Sequence, residues 1–269
     1  MTRNIIAIDL DSCIGCHSCA VVCKQENNVG LGTFYNKVLT VGPSGTYPDL
    51  EMYYLPVSCQ HCDNPECVSV CPTGASYKRE DGVVLVDHSK CIGCQYCVMA
   101  CPYGVRAYDE GRDKGVIEKC TMCAHLLDAG WGRPRCVAAC PRDALRFVDT
   151  SELTPQNMYA PLERLHSEYG TNPTVAYVNM PKPFIAGEVY SPVEDRCLDG
   201  VTVTLENEAT LQKWETKTDY FGEFRVEDIS DGYYTLLLEK EGYEDKRIER
   251  LHVSGALNAG SIVLYATPC

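Results

Sequence analysis

Sixteen of the chain's 18 cysteines lie before residue 141, and they fall into four sets of four. Cys13, Cys16, Cys19 and Cys23 lie in CIGCHSCAVVC, and Cys59, Cys62, Cys67 and Cys71 in CQHCDNPECVSVCP. Cys91, Cys94, Cys97 and Cys101 lie in CIGCQYCVMACP, and Cys120, Cys123, Cys136 and Cys140 in CTMCAHLLDAGWGRPRCVAACP. Sets one and three have gaps of two, two and three residues, the run of bacterial ferredoxins. Set two widens its second gap to four and set four to twelve, while every set ends in three residues and a final cysteine. That shared ending is an internal repeat, and it confines cysteine to one part of a 269-residue chain.

Cysteine at this density is either a disulfide framework or a store of thiolate ligands. The opening MTRNIIAIDLDSC has no apolar run as long as the ~7 residues a signal peptide needs and no small-residue cleavage site, so it does not read as a secretory signal. No stretch of about 18 apolar residues occurs, so the sequence predicts no membrane span. These features favour a reducing compartment and metal ligation; the expected location is the cytoplasm, the alternative being export of the folded chain with a twin-arginine-targeted partner. Paired Cys-x-x-Cys motifs also build structural zinc sites, but four consecutive sets of four, three of them ending in Cys-Pro, fit zinc poorly. The reading is four [4Fe-4S] clusters.

The spacing has a chemical reason. Three thiolates separated by two residues each wrap a tight loop around one part of an iron–sulfur cube, and that loop does not reach the fourth iron. In two-cluster ferredoxins the last cysteine of each run, followed by Pro, ligates the other cluster. Pro72, Pro102 and Pro141 stand where that pattern wants them, whereas Lys24 follows Cys23.

With this arrangement residues 1 to about 180 resemble the iron–sulfur electron-transfer subunits that accompany molybdenum or tungsten bis-pterin enzymes of the dimethyl sulfoxide reductase family. The resemblance implies that set one pairs with set four and set two with set three. The implied clusters are on Cys13, Cys16, Cys19 and Cys140; on Cys120, Cys123, Cys136 and Cys23; on Cys59, Cys62, Cys67 and Cys101; and on Cys91, Cys94, Cys97 and Cys71. It also implies a molybdopterin catalytic subunit as partner and no catalytic residue in this chain.

Set four's wide gap, AHLLDAGWGRPR, predicts a short surface helix over Ala124 to Asp128, stopped at Gly130. Lys119, Arg133 and Arg135 flank the ligands there; positive charge would offset an oxidised cluster with four thiolates, and a solvated loop is the plainer reading. Trp131 reads as packing or as an aromatic anchor at a subunit interface. His17, His61 and His125 sit beside ligands, but each set already has four thiols, so they read as non-ligands. Cys197 and Cys269 lie outside the sets and read as free thiols.

Residues 151–183 form a linker. Thr154-Pro155 is an N-cap with a first-turn proline, so PQNMYAPLERLHSEYG predicts one helix ended by Gly170, with Pro161 as a weak point. TNPTVAYVNMPKP then predicts an extended strap lying on the cysteine-rich domain. From Phe184 the hydrophobic period becomes two: Val201, Val203 and Leu205; Phe224 and Val226; Tyr234, Leu236 and Leu238, with Gly232 and Gly242 as turn punctuation. Such strands suggest a β-sandwich or barrel of about seven strands. AGEVY, GVTVTL, TDYFGEFRV and GYYTLLLEKEGY resemble the transthyretin-like or carboxypeptidase-regulatory-like sandwich. The expected fold class is therefore α+β: a double two-[4Fe-4S] ferredoxin-like domain over 1–150, a linker, and an all-β transthyretin-like or Ig-like domain over 184–269.

Formal charge is -13. Residues 1–150 hold 14 Lys+Arg against 17 Asp+Glu and residues 151–269 hold 10 against 20, so the acidity belongs to the C-terminal part. Nothing here forms the clustered positive face that nucleic acid requires.

A ferredoxin-type subunit followed by such a β domain narrows the resemblance to the small subunits of pyrogallol–phloroglucinol transhydroxylase and related enzymes of phenolic rings. YKREDGVVLVD, CPYGVRAY and KCTMCAHLLD carry it. That transhydroxylase subunit lacks most of the third set, whereas Cys91, Cys94 and Cys97 are all present here. The departure implies delivery of electrons from an external donor protein, as a catechol dehydroxylase or a hydroxylase needs. Two alternatives stand beside this: an electron-transfer subunit of a formate dehydrogenase or a sulfoxide or polysulfide reductase, and a binding module whose clusters are structural.

Overall fold

The computed structural model describes residues 4–47, 49–109, 115–150 and 162–267. Its internal contacts divide the chain into two units, Met1–Thr40 with Tyr53–Met180, and Val41–Met52 with Pro181–Cys269.

The first unit opens with strand β1 (Asn4–Asp9), whose apolar run NIIAID is buried at its centre, followed by helix α1 (Ser18–Glu26). A hairpin follows, β2 (Asn36–Thr46) and β3 (Asp49–Ser58), in which the chain passes between the units. Next come helical turn α2 (Glu66–Ser69) and the strand pair β4 (Ser76–Lys78) and β5 (Val84–Val86). The same sequence of elements recurs as α3 (Tyr96–Met99), β6 (Ala107–Asp109) and β7 (Val116–Glu118). Helices α4 (Ala124–Asp128) and α5 (Arg135–Ala138) and strand β8 (Leu145–Asp149) complete the repeat, and strand β9 (Ala176–Val178) lies in the strap.

Strand β1 pairs antiparallel with β8, Ile5 opposite Val148 and Ala7 opposite Arg146, and parallel with β9, Ala7 opposite Ala176. This three-stranded sheet joins the start of the chain to the segment after set four. Helix α1 packs on α5 and α2 on α3, so elements of sets one and four meet, as do elements of sets two and three.

Helix α4 spans the residues expected from the sequence, and the left-handed Gly130 (φ 87) follows its end, donating to the Leu127 carbonyl over 3.0 Å. The helix expected before Gly170 does not form over its described part; residues 155–161 lie outside the described residues. Glu163 instead exchanges both backbone hydrogen bonds with Tyr177, at 2.8 and 2.9 Å, and only a 3-10 turn, Ser167–Tyr169, precedes the left-handed Gly170. Sheet-like pairing with the strap supplies partners that a helix would otherwise have to supply internally, so tertiary context overrides local propensity.

The second unit is a two-sheet assembly. Strands β10 (Phe184–Ser191), β11 (Arg196–Cys197), β12 (Thr202–Asn207), β13 (Lys213–Lys217), β14 (Glu223–Val226), β15 (Gly232–Glu239), β16 (Lys246–Val253) and β17 (Ala256–Val263) follow in order. One sheet has β10 between β14 and β17 with β11 at its end; the other has the order β13-β12-β15-β16. Val201, Val203, Leu205, Phe224, Val226, Tyr234, Leu236 and Leu238 all face the core between them, as the period of two predicts. The helices of the chain are short, four to nine residues where described, so it is mostly β rather than evenly α+β.

Candidate iron–sulfur centres

Each cysteine set is built from the same local device. The third position of every Cys-x-x-Cys loop is left-handed: Gly15 (φ 67), His61 (φ 43), Gly93 (φ 67) and Met122 (φ 55). Glycine adopts that geometry freely, and at Gly15 it is needed twice over, because a Cβ there would stand 2.5 Å from the Tyr54 ring. The loop runs into a helical segment that carries the final cysteine away. In sets two, three and four the final N–H closes the turn by donating three residues back, Cys71 to Val68, Cys101 to Val98 and Cys140 to Val137, at 3.2 to 3.3 Å. Cys-Pro then starts a second turn, closed by Gly74, Gly104 and Asp143, all left-handed.

Set one, without the proline, holds its bend differently. Helix α1 continues past Cys23 to Glu26, and Lys24 turns back to donate to the carbonyls of Gly30 and Thr33, each at 2.7 Å, with Nζ 4.5 Å above the Phe34 ring.

These devices bring cysteines from distant sets together. Cys13, Cys16, Cys19 and Cys140 line one cavity. Burial pushes the Cys19 thiol up to about 11, with Cys13 and Cys140 adding to it. Burial also raises Cys136 and Cys23, which share the surroundings of Cys120 and Cys123. Cys62 is pushed up to about 11 by burial, against a hydrogen bond from Thr171 and with Cys59, Cys67 and Cys101 beside it. Cys97 lies in helix α3, and Cys71, Cys91 and Cys94 on the loops and turns that flank the packed α2–α3 pair. The thiols whose ionisation burial disfavours here, Cys19, Cys23, Cys62 and Cys136, ionise readily only against a cation, so metal binding must drive their deprotonation. The 17 cysteines among the described residues, Cys197 included, are free of disulfides; Cys269 lies outside the described residues.

Burial differs along the series. Cys23, Cys120, Cys123 and Cys136 are all buried, whereas Cys16 and Cys94 are exposed. Apolar side chains stand exposed beside each: Ile14 and Val21 near Cys16, and Ile92, Tyr96 and Met99 near Cys94. Burial of Cys120 brings its thiol to about 12 with Cys59 close by, which marks where sets two and four approach.

Two buried cations test the fit to an anionic group. Arg106 is 5% exposed and Lys119 2%. Arg106 donates from Nη2 to Cys67 Sγ over 2.9 Å and from Nη1 to Ser76 Oγ over 2.8 Å. Lys119 donates to the carbonyls of Cys120, over 2.7 Å, and of Val84. Buried cations require nearby negative charge, and four thiolates on a [4Fe-4S] cube supply about two units of it. Backbone N–H groups add to this, Ser76 to Cys71 Sγ and Met122 to Cys120 Sγ, both at 3.4 Å. The residues present therefore fit iron–sulfur clusters.

Of the flanking charges expected from the sequence, Lys119 is buried, Arg133 is exposed, and Arg135 faces Glu26 at 3.5 Å and the exposed Trp131 at 5.7 Å. His17 and His125 are exposed, and His125 meets Glu26 at 3.1 Å; His61 is buried. Arg106 escaped sequence reading, although CPYGVRAY places it five residues after Cys101.

Fold and site together define an iron–sulfur electron-transfer protein. Residues 12–75 and 50–150 each match a 4Fe-4S dicluster domain, and residues 185–264 a carboxypeptidase regulatory-like domain; the dicluster domains provide for four [4Fe-4S] clusters. A putative dimethyl sulfoxide reductase iron-sulfur subunit from Halobacterium salinarum is 43% identical over 66% of this chain and 80% of its own. A sulfite dehydrogenase subunit from Allochromatium vinosum is 43% identical over 66% and 83%. The pyrogallol hydroxytransferase small subunit of Pelobacter acidigallici is 32% identical over 90% and 92%. The chain belongs to the iron–sulfur subunits of the dimethyl sulfoxide reductase family, the electron-transfer subunits of molybdopterin oxidoreductases. Among the described residues no helix is long and apolar enough to cross a membrane.

Proposed function

We propose that this subunit carries electrons between an external donor protein and a molybdenum or tungsten bis-pterin subunit that acts on a hydroxylated aromatic, in the cytoplasm. When bound, the clusters supply one-electron storage at successive stations. Their ligands are the four cross-paired sets: Cys13, Cys16, Cys19 and Cys140; Cys23, Cys120, Cys123 and Cys136; Cys59, Cys62, Cys67 and Cys101; and Cys71, Cys91, Cys94 and Cys97. The observation that carries the relay is the gradient of burial. Exposed Cys16 and Cys94 mark two ends with apolar collars fit for docking, while the set of Cys120 is enclosed. The Cys16 end faces the catalytic subunit and the Cys94 end the external donor.

The aromatic substrate is supported by the β domain. Likeness to the pyrogallol hydroxytransferase small subunit extends over 90% of the chain, beyond the 66% shared with the dimethyl sulfoxide and sulfite subunits. Higher identity with those two, 43% against 32%, favours a second reading in which the partner reduces or oxidises a sulfur compound. Anaerobic copurification of the native complex, metal analysis and assay against phenolic and sulfur substrates separates the two. Turnover of sulfur compounds alone overturns the aromatic assignment.

A further inference from the structure

His61 occupies a position that sets one and three give to glycine. Its backbone is left-handed (φ 43), as is that of Met122 (φ 55) at the same position of set four, while Gly15 and Gly93 sit there without strain; what sets His61 apart is its imidazole. The side chain is 1% exposed. Nδ1 accepts the Val84 N–H over 3.0 Å, so the ring proton sits on Nε2. Nε2 has no hydrogen-bond partner among the described residues. A buried N–H is seldom left unmade, so an acceptor belongs at this spot.

The neighbours narrow its identity. Lys119 holds the carbonyl of the same Val84, and Arg106 and Lys119 are the charges that bear on the His61 ring. Neither cation can accept a hydrogen bond. Both also act on Cys67, which Arg106 contacts directly. Gln60 Oε1 is also buried without a hydrogen-bond partner among the described residues, but the group that both cations share with His61 is Cys67, so the acceptor favoured here is a cysteine sulfur or what it binds.

We propose that His61 Nε2–H donates a hydrogen bond to a sulfur of the cluster held by Cys59, Cys62, Cys67 and Cys101, and that it thereby raises the reduction potential of that cluster. The inference rests on the ligand set proposed above. A donor aimed at sulfur favours the reduced, more negative state.

The test is a redox titration of the anaerobically purified complex, followed by electron paramagnetic resonance, with Cys101→Ser marking the signal of the target cluster. In His61→Phe the midpoint of that cluster should fall by about tenfold in its reduction equilibrium, ~59 mV for one electron, while the other three hold. His61→Gln, which keeps a donor, should restore part of the loss. An unchanged midpoint, or a shift confined to the cluster of Cys120, overturns the proposal. If His61→Phe does not assemble, nitrogen-15 histidine in the otherwise native complex carrying His17→Gln, His88→Gln, His125→Gln and His166→Gln should still give a pulsed-resonance nitrogen coupling to the reduced cluster; its absence also overturns the proposal. Failure of the ligand set shows separately, as a Cys101→Ser protein that retains all four cluster signals and full iron content.

Discussion

Arg106 donates to Cys67 Sγ over 2.9 Å from a buried position. Its second arm reaches Ser76, on the strand that follows set two, so one side chain ties the ligand loop to the sheet behind it and places a fixed positive charge beside a thiolate. Arg106→Gln removes the charge and keeps much of the volume. A charge-assisted hydrogen bond is worth about 1.5–3 kcal/mol, which for one electron is ~60–130 mV. The cluster of Cys67 is expected to become harder to reduce by about that much, as read by potentiometry; an equal shift in all four clusters would argue against a local role.

The proposed cross-pairing of sets one and four makes a ligand exchange testable. Cys140→Ser should perturb the spectrum of the cluster on Cys13, Cys16 and Cys19, and Cys23→Ser that on Cys120, Cys123 and Cys136. If each substitution altered the cluster of its own set instead, the nesting would be refuted.

Gly15→Ala probes the loop that wraps the exposed end. The left-handed backbone costs a residue with a Cβ about 1–2 kcal/mol, and the new atom would press on the Tyr54 ring at 2.5 Å. The expected result is loss of about one cluster in four by iron and sulfide analysis, with the set of Cys91 retained. Gly130→Ala, where nothing lies within 4 Å of a Cβ, is the control for left-handed strain without a clash.

The β domain has its own core, in which Leu236 is fully buried. Leu236→Ala should destabilise that unit by about 2–5 kcal/mol and lower its melting temperature in calorimetry, with iron content unchanged. Truncation after Pro183 should likewise leave four clusters assembled while weakening association with the catalytic subunit. Loss of iron in either protein would show that the two units fold as one.

The orientation of the relay is tested at its far end. Cys94→Ala should abolish turnover driven by an external donor, while substrate of the catalytic subunit still reduces or oxidises the cluster of Cys13. Unchanged externally driven turnover, together with isolation of the catalytic subunit from every cluster, would reverse the assignment.

The cysteine spacing alone determined the cofactor class, because thiolate ligands must recur at intervals that match a cube and its neighbour. The period of two after Phe184 likewise foretold which side chains of the β domain are buried, since alternation along a strand is a local property. The breadth of set four's gap and the helix Ala124–Asp128 were legible for the same reason, a good helical run closed by glycine. Tertiary structure decided the rest. It replaced a locally plausible helix near Glu163 with pairing to Tyr177, because two backbone hydrogen bonds to a neighbouring segment outweigh a weak propensity. It also determined which charges matter: Arg135, beside a ligand in sequence, turns to Glu26, while Arg106, unremarkable in sequence, is buried against Cys67. Burial and orientation arise from contacts between segments far apart in the chain, and no local pattern encodes them.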